Sequence, residues 1–91
     1  MLINELFTTI LSRRTADPAT SYTARLFAAG EDELLKKVGE EAVEVILAAK
    51  SQGNARLIEE AADLTYHVLV LLAARGLSPA DIEAELVKRK K

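Results

Sequence analysis

Two consecutive segments, Asp32 to Ser51 and Ala55 to Arg75, repeat apolar side chains at helical spacing and are parted only by a short turn around Gly53. In the first segment Val38, Ala42, Val45, Ile46 and Ala49 fall on one stripe. In the second, Leu57, Ala61, Leu64, Thr65, Val68 and Leu72 do the same. A helix advances about 100° per residue, so positions three or four apart share a face, and an apolar face must be covered. So short a connection makes the two helices antiparallel neighbours. The chain is thereby committed to packing helix on helix.

Acidic residues border both stripes. On the helical wheel Glu41 stands roughly 60° from the centre of the first stripe, Glu44 roughly 120° and Glu40 roughly 160°. Glu41 and Glu44 thus flank the buried face, while Glu40 points most nearly to water. On the second helix Glu60 (roughly 100°), His67 (roughly 120°) and Asp63 (roughly 160°) form one row beside the core. Antiparallel packing sets Glu41 and Glu44 across a groove from Glu60 and Asp63. Carboxylates that close repel one another unless a cation occupies the gap. Oxygen donors in a chain without cysteine suit Mg²⁺ or Mn²⁺ rather than zinc or copper. The competing reading is a solvated acidic surface, which glutamate-rich helices commonly provide. Two i, i+3 acidic pairs on consecutive helices favour the metal site.

The remaining pattern adds two helices, giving an all-α, four-helix up-down chain in one domain spanning residues 1–91. The first runs from about Ile3 to Arg13, with Leu2, Ile3, Leu6, Phe7, Ile10 and Leu11 at helical spacing. Between Thr15 and Gly30, Asp17-Pro18 and Thr20-Ser21-Tyr22-Thr23 read as a loop or irregular turn. Gly53 and Gly76 read as stops for the two central helices. The last helix begins at Ser78-Pro79, where Ser78 caps, Asp81 completes a capping-box-like arrangement, and Leu77 with Ile82 forms a hydrophobic staple. No segment alternates as a strand does. With no tryptophan or cysteine and few aromatics, the core must come from Leu, Ile, Val and Ala.

Function classes are narrowed by charge and hydropathy. A net charge of −2 argues against general nucleic-acid binding. The basic end Lys88-Arg89-Lys90-Lys91 reads as a solvated tail, and Arg13, Arg14, Arg25, Lys36, Lys37 and Arg56 are cations available to a polyanionic small molecule. Met1-Leu2-Ile3-Asn4-Glu5 has no basic leader pattern, and Val68 to Ala74 is too short to span a membrane. Lack of cysteine fits a reducing compartment. The expectation is a cytoplasmic protein without membrane contact. Tyr66, Val70 and Ala73 make the later half of the second central helix apolar nearly all round, which predicts a homodimer whose subunits complete each other's core. The alternative is that the first helix and the Ser21-Tyr22-Thr23 loop cover that surface within one chain. Gly39, which costs about 1 kcal/mol relative to Ala inside a helix, suggests close approach of another backbone or a ligand.

Three stretches carry a resemblance. Ser21-Tyr22-Thr23-Ala24-Arg25-Leu26, Lys37-Val38-Gly39-Glu40-Glu41-Ala42-Val43-Glu44 and Glu60-Ala61-Ala62-Asp63-Leu64-Thr65-Tyr66-His67 closely resemble the phosphoribosyl-ATP pyrophosphatase family of histidine biosynthesis. The acidic part alone is the general signature of the MazG-like, all-α nucleotide pyrophosphatases. Joined to the Ser-Tyr-Thr segment and to Asp-Leu-x-Tyr-His, it is highly specific. The resemblance covers nearly the whole chain.

That resemblance implies a helical enzyme that dimerises and hydrolyses phosphoribosyl-ATP at the α–β phosphoanhydride, giving phosphoribosyl-AMP and pyrophosphate with Mg²⁺, Mn²⁺ being a substitute. It implies Glu41, Glu44, Glu60 and Asp63 as metal ligands. Among the acids expected to serve catalysis, Glu40, Glu41 and Glu44, Glu40 is the candidate that positions or deprotonates water, or else a solvent-facing helper that only tunes the site. Lys37 either contacts phosphate or pairs with Glu41. Ser21, Tyr22, Thr23 and Arg25 offer donors to a phosphate or ribose, or else form a turn whose tyrosine packs on the core. His67 is a structural histidine or a partner supporting the ligands. No cyclohydrolase-like domain is attached, so a stand-alone enzyme is expected. Two rivals remain: a housekeeping nucleoside triphosphate pyrophosphatase of the same fold, and a non-catalytic helical dimerisation module.

Overall fold

The computed structural model describes residues 2–90, and among them the chain forms five α-helices and no strand. Met1 of the N-terminal reading and Lys91 of the basic end lie outside the described residues. Helix α1 (Leu2–Ser12) passes into a 3-10 turn (Arg13–Thr15), followed by α2 (Tyr22–Ala29), α3 (Glu31–Ser51), α4 (Asn54–Ala74) and α5 (Pro79–Arg89). The all-α class stands, but there are five helices rather than four. The extra one is α2, in the stretch read as a loop.

Ser21 explains the difference. Its backbone is extended (φ −128°, ψ 120°) and its hydroxyl accepts the Ala24 N–H at 3.1 Å, which makes it an N-cap. Turn-like residues therefore begin a helix. The turn itself lies earlier, where the Asp17 carboxylate accepts from Ala19 N–H at 2.9 Å and its carbonyl accepts from Thr20 and Ser21 N–H at 3.0 Å.

Helices α3 and α4 form the antiparallel hairpin expected of them. Only Gln52 and Gly53 separate them, and Gly53 adopts φ +87°, a left-handed conformation that L side chains rarely take. At the far end the Arg75 guanidinium grips the Glu31 carboxylate with Nε and Nη2, joining the end of α4 to the start of α3. Helix α4 closes in a Schellman motif: Leu77 N–H donates to the Leu72 carbonyl (2.8 Å) and Gly76 N–H to that of Ala73 (3.1 Å). Helix α5 starts where expected, with Ser78 N–H donating to the Asp81 carboxylate at 2.9 Å. At its end Lys88 and Arg89 pair with Glu85 along the helix surface, and both side chains remain 75% exposed to solvent.

The core is built from Phe7, Ile10, Leu26, Leu34, Leu69, Val70 and Ala73. Helices α1 and α2 thus cover Val70 and Ala73 within the chain, so the apolar end of α4 needs no second subunit there. The core direction on α3 also differs from the wheel. It runs through Leu34 and Ala48, which are buried, and leaves Ile46 63% exposed and Ala49 exposed. On α4, Thr65 is exposed, while Glu60 and His67, expected beside the core, are themselves buried. Half of the expected α4 stripe, Leu64, Thr65 and Val68, instead joins Leu69 in walling an apolar hollow of about 360 Å³ opposite Ile3 of α1 and Pro79 and Ile82 of α5. Among the described residues, nothing beyond Gly39's own neighbours and helix backbone lies within 4 Å of a Cβ placed on it, so the close approach expected there is not made by them.

Candidate active site

Midway along the α3–α4 hairpin, Glu41, Glu60 and Asp63 each bring a carboxylate oxygen within 4.8 Å of the others. Antiparallel packing produces this, since one turn of α3 then lies beside one turn of α4. Glu44, the fourth expected ligand, is not in that close group but lines the same cavity of about 500 Å³, together with Lys37, Glu40 and Arg56. Burial pushes the Glu41 carboxyl above its ordinary value, and the nearby charge of Asp63 adds to it. Oxygen donors converging without nitrogen or sulfur form a set that can hold a hard divalent cation.

Two cations face five carboxylates in this cavity. The Lys37 ammonium lies 3.9 Å from Glu40 rather than pairing with Glu41. The Arg56 guanidinium places Nη2 2.6 Å from Oε1 of Glu60 and Nη1 3.1 Å from Glu59. Sequence reasoning counted Arg56 only among scattered cations. Its spacing of four residues before Glu60 was a usable signal, but the burial that makes the pairing matter arises only in the fold.

The Ser21–Arg25 segment stands next to this cavity without lining it. Tyr22 adjoins it, close enough to feel the charges of Lys37 and Glu41, and burial pushes its hydroxyl above the ordinary tyrosine value. The Tyr22 hydroxyl donates to Nε2 of His67 at 3.0 Å, while Nδ1–H of His67 donates to the Asp63 backbone carbonyl at 2.8 Å. A carbonyl can only accept, so the neutral ring carries its proton on Nδ1 and presents Nε2 as the acceptor. Thr23 and the Tyr66 hydroxyl share a second hydrogen bond one residue along each helix. Every buried side-chain nitrogen and oxygen among the described residues has a partner.

Ser21 uses its oxygen as a cap, leaving its hydroxyl hydrogen to donate elsewhere. Arg25 donates to the Pro18 carbonyl at 2.9 Å and lies over the Tyr22 ring, 5.8 Å from its centre. Tyr66 stacks on the same ring at a centroid distance of 6.3 Å. Helix α2 is thus fixed to the turn of α4 that follows Asp63.

Comparison with known proteins adds a family. The sequence profile described as Phosphoribosyl-ATP pyrophosphohydrolase matches residues 3–90. The chain is 56% identical over 89 residues to the phosphoribosyl-ATP pyrophosphatase of Pelotomaculum thermopropionicum, an alignment covering 98% of this chain and 91% of that protein. It is 50% identical over 88 residues to the one from Paramagnetospirillum magneticum (97% and 81% covered). To that of Lactiplantibacillus plantarum it is 51% identical over 88 residues (97% and 83% covered).

Proposed function

The chain belongs to the phosphoribosyl-ATP pyrophosphohydrolase family, and from that premise we propose that it hydrolyses phosphoribosyl-ATP to phosphoribosyl-AMP and pyrophosphate with Mg²⁺, the second step of histidine biosynthesis. It is an enzyme, a hydrolase of a phosphoanhydride. The observation that carries the finer reading is the convergence of Glu41, Glu60 and Asp63 within 4.8 Å.

Glu41, Glu60 and Asp63 are the residues to hold a divalent cation, with Glu44 completing the set from the next turn of α3. Such a cation supplies charge neutralisation to the triphosphate, without which the phosphate oxygens repel an attacking water. The chain's own groups do the rest. Glu40, exposed at the rim of the cavity, orients or deprotonates water. Lys37 presents a point charge to a phosphate. Ser21, Tyr22, Thr23 and Arg25 border the substrate from α2, with hydroxyls and a guanidinium suited to phosphate or ribose oxygens.

A homodimer belongs to this reading. Val43, Ile46 and Leu47 form an exposed apolar stripe on α3, and Gly39, with open space beside it, lies one turn before Val43. A second copy would cover that stripe. Among the described residues no helix is long and apolar enough to cross a membrane, and the lack of cysteine fits the cytoplasm.

The test is pyrophosphate release from phosphoribosyl-ATP, ATP and a panel of deoxynucleoside triphosphates, with and without Mg²⁺. Turnover of phosphoribosyl-ATP that stops on chelation is expected. Turnover of a deoxynucleotide in its place would point to a housekeeping pyrophosphatase.

A further inference from the structure

Glu60 is one of the three acids whose oxygens converge, and its side chain is only 7% exposed. A carboxylate so buried requires a positive partner. Arg56, one turn earlier on α4, is the cation paired with it, at 2.6 Å. The Arg56 side chain is itself 48% exposed and lines the acidic cavity, so its guanidinium can turn about a flexible stem without leaving the site. The same carboxylate is therefore claimed by a guanidinium now and by a divalent cation when one binds. A guanidinium stays charged at any working pH, and at this range it repels a dication.

We propose that Arg56 is a stand-in cation: it neutralises Glu60 until a divalent cation binds, yields that carboxylate to it, and then offers its guanidinium to a phosphate oxygen of the substrate. The inference rests on the metal reading of Glu41, Glu60 and Asp63 given above. Arginine suits the second task because its planar donor fork matches phosphate oxygens in pairs. Lys37, the cavity's other cation, is a weakly held point charge beside Glu40 and cannot reproduce that geometry.

The experiment compares wild type with Arg56→Ala and Arg56→Lys in three measurements: Mn²⁺ titration calorimetry without substrate, thermal unfolding with and without Mn²⁺, and steady-state kinetics on phosphoribosyl-ATP. Arg56→Ala should unfold earlier than wild type when metal-free, yet bind Mn²⁺ about three- to tenfold more tightly, because a competing ion pair is gone. It should also raise KM more than it lowers kcat. Arg56→Lys should restore much of the metal-free stability while leaving KM raised. Unchanged or weaker Mn²⁺ binding by Arg56→Ala overturns the proposal, since Arg56 would then be a bystander or would hold Glu60 in place for the metal. An unchanged KM overturns the phosphate role. Failure of the wild type to bind Mn²⁺ overturns the metal reading itself, and the two failures are distinct.

Discussion

The hydroxyl of Tyr22 reaches Nε2 of His67, 45 residues further along the chain, at 3.0 Å. This bond and its neighbour between Thr23 and Tyr66 tie the first turn of α2 to α4 just past Asp63. Tyr22→Phe removes the donor and leaves the buried His67 ring with an unpaired acceptor, which costs about 1–3 kcal/mol. Urea unfolding of Tyr22→Phe should show that loss with an unchanged m-value, because the same surface is still buried. A loss below a few tenths of a kcal/mol would mean that water replaces the hydroxyl and that the link does not hold α2.

Glu41→Gln and Asp63→Asn separate chemistry from folding. Burial and the neighbouring Asp63 already disfavour the charged form of Glu41, so removing that charge does not weaken the metal-free fold. Altering groups that merely support ligands costs roughly 10–100-fold, and losing a ligand should exceed about 100-fold in turnover. Circular dichroism and Mg²⁺-dependent pyrophosphate release, measured on the same preparations, check both halves. Full turnover by either variant removes that residue from the ligand set.

The hairpin and its acids were legible because long helices repeat their pattern several times and end at glycines. Gly53 and Gly76 both adopt positive φ where the sequence reading put helix stops. Helix α2 was not legible, for a physical reason. Its eight residues offer barely two turns of periodicity, and Thr20-Ser21-Tyr22-Thr23 favours caps and turns over helix interiors. What keeps it helical is tertiary: the Tyr22–His67 and Thr23–Tyr66 bonds, with Ala24 and Leu26 buried beneath. Arg56 escaped for a related reason. Its spacing to Glu60 resembles any surface pair, and only the burial of Glu60 sets it apart. The wheel also tilted the α3 core toward Ile46, because apolar identity alone does not say which side a partner covers.

The clasp between Arg75 and Glu31 should make part of the stability pH-dependent. Hydrogen bonding by the Arg75 guanidinium lowers the Glu31 carboxyl below its ordinary value. A carboxylate with a depressed folded-state pKa contributes stability that is present above its unfolded pKa and is lost as pH falls through the folded one. Arg75→Ala should therefore unfold at a lower temperature than wild type at neutral pH, and the gap should close in acid, once Glu31 is protonated in both proteins. Added salt should narrow the gap at neutral pH, since the pair is exposed. A gap constant from pH 7 into acid would show that Arg75 acts through packing instead.

The exposed stripe on α3 makes the proposed dimer testable at one residue. Ile46 is 63% exposed in the single chain, where a charged replacement would shift stability by no more than about 0.5 kcal/mol. Within a subunit interface the same change would bury an unpaired carboxylate and separate the copies. Wild type should therefore sediment at about twice the 9.9 kDa chain mass, and Ile46→Glu as a folded monomer with its helical signal retained. Because Glu41, Glu60 and Asp63 come from one chain, the monomer should keep its Mn²⁺ site even if turnover falls. A wild type that sediments as a monomer at micromolar concentration, or an Ile46→Glu variant that remains a dimer, removes this face from the interface.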